Sequence, residues 1–153
     1  FGLAFAKSQL GAGVNLPITG TVFISVKDSD KAGFLQICSD LVKLGFLILA
    51  TNGTTKFLND AGIPAERVNK VLEGRPHAVD AMLSGEIDLV FNTAHGVAAI
   101  QDSFSLRQTA LTNDIPYYTT MSGSRAAVAA ISALQKMQLS AKSIQDYLNI
   151  TSI

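Results

Sequence analysis

Disulfides, membrane spans and excess charge are all missing from this sequence, and each absence narrows what to expect of it. A single cysteine, Cys38, cannot close a disulfide within the chain. It lies in the apolar stripe Leu35-Ile37-Cys38-Leu41-Val42 of an expected helix and reads as a small core residue. No stretch reaches the ~18 consecutive apolar residues of a membrane-spanning helix, and none has the pattern of a signal peptide, so we expect a cytoplasmic protein without membrane contact. Twelve basic residues balance twelve acidic ones, which leaves no broad field to attract nucleic acid. Two histidines, one cysteine and scattered carboxylates give no metal-ligand spacing. There is no internal repeat and no low-complexity segment.

What is present is a folding composition. Of 153 residues, 48% are hydrophobic and 16% charged, enough to build one domain around a real core. Phe1 to Leu10 has helical spacing and ends in Gly11-Ala12-Gly13, so residues 1–19 are expected to be the end of a preceding domain and a linker. The opening Phe1-Gly2-Leu3, without methionine, fits a piece of a longer chain.

From Gly20 onward strands and helices alternate. Thr21 to Val26, Phe46 to Ala50, Arg67 to Val71, Ile87 to Phe91 and Pro116 to Thr119 read as strands. Between them Asp30 can cap a helix through Leu44, stopped by Gly45. Shorter helices are expected over Thr54 to Ala61 and His77 to Ser84, ended by Gly62 and Gly85. Phe104 to Thr112, Arg125 to Met137 and Ser143 to Leu148 read as further helices. This order predicts an α/β fold, a five-stranded, mainly parallel sheet covered on both faces in three αβα layers. Ligands bind such sheets outside the carboxyl ends of the strands.

Polar residues gather at those ends. Lys27 and Lys31 follow the first strand; Thr51, Asn52, Gly53 and Thr54 follow the second. Lys70 lies in the third, and Asn92 and Thr93 follow the fourth. Hydroxyls, amides, helix N-terminal N–H groups and ammonium groups on one rim are phosphate-binding chemistry without a Walker loop. The bland alternative is that the threonines cap a helix and the lysines are merely solvated.

Longer stretches carry a resemblance. "VNKVLEGRPHAVDAMLSGEIDLVFNT" (Val68 to Thr93), "ISVKDSDK" (Ile24 to Lys31) and "ATNGTT" (Ala50 to Thr55) closely resemble the carboxyl-terminal regulatory domain of the bacterial carbamoyl phosphate synthetase large chain. That domain has the methylglyoxal-synthase-like fold, here over residues 20–153. "FGLAFAKSQL" is similar to the last helix of the preceding catalytic unit. The resemblance implies a parent ligase making carbamoyl phosphate from bicarbonate, ATP and glutamine-derived ammonia, for pyrimidine and arginine biosynthesis. That parent would use Mg2+ (or Mn2+) and K+ with ATP and pair with a small glutaminase subunit; no cofactor is implied for this domain.

The resemblance also implies UMP or IMP as effector. Its phosphate contacts would be Lys31, Thr51, Thr54, Lys70, Asn92 and Thr93, with Ser25 and Asn52 beside them and Thr119 communicating with an ornithine region. Histidine is usual where Asn52 stands, and a hydroxyl residue where Ala94 stands. The main rival is a methylglyoxal synthase-type lyase acting on dihydroxyacetone phosphate. By alignment its aspartate base is replaced by Arg75 and its histidine by Gln101. An arginine stays protonated and cannot abstract a proton at neutral pH. Asp80, Asp102, His77 and His95 remain as conceivable acid–base groups. Asp80 is expected to face solvent, His77 to cap or pack, and Asp102 and His95 to flank the rim. A cyclohydrolase domain of purine synthesis shares the fold but not the EGRPH run, and a plain protein-interaction module would leave the strand-end clustering unexplained.

Overall fold

A computed structural model, which describes residues 1–94 and 97–151, has the elements α1 (Gly2–Gly11), β1 (Thr21–Ser25), α2 (Asp28–Lys43), β2 (Leu47–Ala50), α3 (Asn52–Asp60), β3 (Glu66–Arg67), α4 (Ala78–Leu83), β4 (Leu89–Asn92), α5 (Val97–Thr112), β5 (Tyr117–Tyr118) and α6 (Met121–Thr151). A 3-10 turn, Val71–Glu73, lies between β3 and α4. The five strands pair in the order β3-β2-β1-β4-β5, and every pairing is parallel.

Residues that alternate along a strand leave for opposite faces. Val22 and Ile24 of β1, Ile48 and Ala50 of β2, and Leu89 and Phe91 of β4 enter one cluster with Phe34, Ile37 and Leu41 of α2, Leu58 of α3 and Ile131 of α6. Phe23 and Val90, pointing the other way, meet Ala78, Ala81 and Met82 of α4 and Leu106 and Ala110 of α5. The layers are therefore α1-α2-α3-α6, sheet, α4-α5. Cys38 is fully buried within the first cluster, and burial pushes its thiol up to about 12.

Helix ends follow local chemistry with one correction. Asp30 does not cap α2. The N-cap is Lys27, which makes no side-chain cap; Asp28 and Asp30 fall in the first turn, where their charge favours the helix dipole. Gly45 closes that helix at φ +92°, a conformation that a side chain disfavours.

Three boundaries depart from the sequence pattern. β3 is only two residues long, because from Asn69 the chain bridges His77 and then turns, the Lys70 N–H donating to the Glu73 carboxylate at 2.9 Å. α5 begins at Val97, seven residues before the expected start. Ile100, Phe104 and Leu111 are exposed while Leu106 and Ala110 are buried, so apolar residues on both faces blur its period. The two expected carboxyl-terminal helices are one helix of 31 residues, since no proline or glycine after Gly123 interrupts it.

α1 lies along α6. A Cβ on Gly2 would collide with the Ala129 carbonyl, so glycine permits this close approach. Tyr118 donates to Gln9 Oε1 at 2.8 Å and ties α1 to the end of β5.

Candidate functional site

Parallel registers decide which residues share the carboxyl edge. Ser25 pairs with Asn92, and Ile24 pairs with Ala50, so Thr51 stands one step beyond the sheet beside Ser25. In the order β3-β2-β1-β4-β5 the chain winds one way from β1 and then returns to its other side with β4, which opens a crevice between their ends. Ser25, Thr51, Lys70 and Asn92 line a cleft there, with Asp102 and Ser103 of α5, against apolar walls that include Phe23, Val71, Ala78 and Leu106. Its enclosed volume is about 20 Å³, room for water rather than for a nucleotide. A shallower hollow of about 380 Å³ adjoins it, sharing the walls Asn92, Ala94, Ala99 and Ser103.

The second-strand residues form the start of α3. Thr51 is its N-cap residue, yet its side chain makes no capping bond; its Oγ1 sits 3.4 Å from Thr54 Oγ1. The first-turn N–H groups of a helix have no intrahelical partner and point outward with the positive end of the dipole. Thr54 is buried beneath Thr51, whereas Asn52 is exposed and does not line the cleft. Thr55, not singled out from sequence, ties the turn together by donating to the Ala50 carbonyl at 2.9 Å.

Lys31 reaches the same turn from α2. Its Nζ would lie 3.3 Å from a Cβ built on Gly53, and it pairs with Asp28 Oδ1 at 2.7 Å. The Lys31 hydrogen bond and charge hold the Asp28 carboxyl below its ordinary value, and Lys70 lowers it further. Both lysines therefore act on the Asp28 carboxyl at the start of α2. Lys27 instead pairs with Asp30 at 3.8 Å.

On the other side Asn92 is fixed by two partners far along the chain. Its Nδ2 donates to Tyr117 Oη at 2.7 Å and to Ser103 Oγ at 3.1 Å, while its Oδ1 accepts the Ala94 N–H at 3.2 Å. Burial raises the Tyr117 hydroxyl above its ordinary pKa, with the Asn92 bond opposing. Among the described residues two buried side-chain oxygens have no hydrogen-bond partner: Thr93 Oγ1 and Asp102 Oδ1. Both lie at this end of the molecule. Thr119, exposed past β5, lines the adjoining hollow rather than the cleft.

The acid–base candidates separate. His77 is the N-cap of α4, and its Nδ1 accepts the Asp80 N–H at 3.3 Å. Asp80 is not turned to solvent; it accepts the His77 N–H at 3.0 Å and pairs with Arg75 at 3.4 Å. Arg75 is largely exposed and absent from the cleft walls. Gln101 is exposed too. His95 lies outside the described residues. Asp102 alone of these lines the cleft. No group of three or more potential metal ligands occurs among the described residues.

A parallel α/β domain with a donor-rich cleft at its topological switch point is the class that this fold and site define. The sequence model of the MGS-like domain family matches residues 33–119, and the chain belongs to that family. Over nearly its whole length it is similar to carbamoyl phosphate synthase large chains. It is 52% identical over 147 residues to that of Mesorhizobium japonicum (96% of this chain, 13% of the relative). It is 48% identical over 149 residues to that of Myxococcus xanthus (97% and 14%). It is 45% identical over 155 residues to the "Carbamoyl phosphate synthase large chain, C-terminal section" of Aquifex aeolicus (98% and 29%). The chain thus spans about one-seventh of the full-length relatives.

Proposed function

We propose that this domain binds a nucleoside monophosphate, UMP or IMP, at the carboxyl edge of its sheet and regulates a glutamine-dependent carbamoyl phosphate synthetase of which it is part. The observation that carries the reading is the Ser25–Asn92 register with Thr51 beside it, which gathers hydroxyl, amide and helix N–H donors in one row with Lys70 on the rim. Lys31 supplies a second cation at the α3 turn. Charge-assisted hydrogen bonds contribute about 1.5–3 kcal/mol each. Four or five of them support micromolar affinity, about −8 kcal/mol, after the entropic cost of association.

On this reading Thr51, Thr54, Lys31, Lys70, Asn92 and Thr93 take the phosphate, with Ser25 and Asn52 beside them. The nucleoside rests over the adjoining hollow, and the cleft must widen to admit it. Thr119, on that hollow, communicates with an ornithine-responsive region. The parent chain uses ATP with Mg2+ or Mn2+ and K+, makes carbamoyl phosphate for pyrimidine and arginine biosynthesis in the cytoplasm, and works with a small glutaminase subunit. The domain itself carries no catalytic step. It transmits occupancy because the ligand binds two arrangements of domain and catalytic neighbour unequally; such coupling is typically about 1–3 kcal/mol.

Calorimetric titration of the chain with UMP, IMP and inorganic phosphate tests the reading. Saturable nucleotide heat is expected, and none at millimolar ligand sinks it. One observation favours a second reading, a lyase acting on dihydroxyacetone phosphate: the unpartnered Asp102 oxygen beside the cleft. Incubation with dihydroxyacetone phosphate is expected to yield no methylglyoxal, since the lyase's aspartate base is replaced in the alignment by Arg75, which stays protonated. Turnover that Asp102→Asn abolishes would establish the lyase instead.

A further inference from the structure

Asn52 is followed by Gly53, and no other asparagine of the chain precedes a glycine. In an Asn-Gly pair the backbone nitrogen of the second residue can attack the side-chain carbon of the first, because glycine has no Cβ in the way. Both residues are exposed and open α3. Thr51, the N-cap, makes no side-chain cap, and a first-turn N–H has no acceptor within its helix, so nothing in α3 holds the Gly53 N–H. Helical backbone keeps that nitrogen away from the Asn52 Cγ, so attack needs these two residues to fray, as helix ends do. Thr55 confines the fraying: its N–H donates to the Thr51 carbonyl at 2.8 Å and its hydroxyl to that of Ala50 at 2.9 Å. Lys31 Nζ would lie 3.3 Å from a Cβ on Gly53, and a cation there eases loss of the amide proton.

From this juxtaposition we infer that Asn52 is a site of spontaneous deamidation, and that the carboxylate so formed closes the anion site at the start of α3. The Gly53 nitrogen bonds to the Asn52 Cγ, the Cγ–Nδ2 bond breaks, and ammonia leaves carrying the amide proton. Water then opens the five-membered succinimide at either carbonyl, giving aspartate or isoaspartate. One water is consumed, one ammonia is released, and nothing is oxidised or reduced. The new negative charge stands at the positive end of the helix dipole and within reach of Lys31, so it takes up the cation and the N–H groups that a phosphate would use, and repels the phosphate itself. Isoaspartate also lengthens the backbone by one methylene and displaces the Gly53 N–H. Conversely, an anion seated on those N–H groups holds the first turn closed and protects Asn52. The inference rests on the proposed anion site, which it makes subject to ageing when no ligand is bound.

The test incubates the native chain at mildly alkaline pH until a sample unfolded in urea is fully converted, and reads residue 52 by peptide mass spectrometry that separates aspartate from isoaspartate. The native chain is expected to deamidate at Asn52 ahead of every other asparagine, and saturating UMP to slow this at least about tenfold. Calorimetry with UMP and inorganic phosphate is expected to show at least about tenfold weaker binding by Asn52→Asp than by the fresh wild type. The aged wild type, separated from the fresh chain by its charge, is expected to match it, and decides the matter if the variant does not fold. Asn52→Gln, which would have to close a six-membered ring, is expected to keep its own starting affinity throughout the incubation. An intact Asn52 in the native chain overturns the modification site. Equal affinity in the fresh and deamidated chains overturns the closing of the anion site. If the fresh wild type binds neither probe, the nucleotide reading itself falls, and the mass result is left to stand alone.

Discussion

The cleft has two sides made from the same kinds of residue, and they end in different states. On the β2–α3 side Thr51 and Thr54 face each other, Thr55 is bonded to the Ala50 carbonyl, and Lys31 holds Asp28. Polar groups there have partners within a few residues or on the adjacent helix. On the β4–α5 side Asn92 is saturated by Tyr117 and Ser103, but Thr93 Oγ1 and Asp102 Oδ1 have none. The first side is a turn that would exist whether or not anything bound. The second retains unmet hydrogen-bonding capacity, and buried capacity of that kind costs stability unless a ligand or water meets it. One side is closed by its own bonds, and the other keeps unpaired oxygens.

The largest expected effect probes what β4 rests on. Phe91 is fully buried, with its ring centroid 6.2 Å from that of Phe34 and 6.0 Å from that of Tyr118. Phe91→Ala is expected to cost about 3–5 kcal/mol by urea denaturation. A much smaller loss would mean that the β4 side is loosely founded and that its unpaired atoms reflect slack rather than selection. Next comes the charge on the rim. Lys70→Ala is expected to weaken phosphate-containing ligands by about 1.5–3 kcal/mol in calorimetry, and unchanged affinity removes Lys70 from the site.

The comparison itself is sharpened by two matched substitutions. Thr55→Val deletes a satisfied hydroxyl and is expected to destabilise the empty protein by about 1 kcal/mol. Thr93→Val deletes an unpaired one of the same shape. It is expected to leave stability within about 0.5 kcal/mol or raise it, while weakening phosphate binding. Equal losses in the two variants would erase the distinction between the sides. The smallest effect concerns Cys38, beneath the α2 face. Because burial pushes its thiol up to about 12, almost no thiolate exists at pH 8, and alkylation is expected only on unfolding. Rapid labelling of the native chain would show that this face opens.

Much of this was legible in the amino-acid sequence for a local reason. The runs within β1, β2 and β4 are apolar on both faces, which is what a central parallel strand requires, and Gly45, Gly62 and Gly85 mark real stops at positive φ. Strand-end polar residues then fall at the carboxyl edge by the winding rule alone, which makes Thr51, Lys70 and Asn92 legible; Ser25, inside the expected first strand, is implied only by the family resemblance. Lys27, Lys31, Asn52, Thr54 and Thr93 were gathered by the same adjacency and are not among the cleft walls, because following a strand does not fix where a side chain stands. The start of α5 is obscured by apolar residues on both of its faces, the brevity of β3 by the turn that begins at Asn69, and α6 runs unbroken through a stretch, free of proline and glycine, that reads as two helices.

By itself the sequence determined the αβ alternation, the buried strands and the edge at which chemistry collects, because periodicity and turn residues act within a few positions. Only the tertiary structure decided that Asn92 is anchored by groups 11 and 25 residues away. It also brought Asp102 and Lys70 to one cleft. Those outcomes depend on which helix the sheet register and the core bring against which strand end, and no short stretch of sequence carries that information.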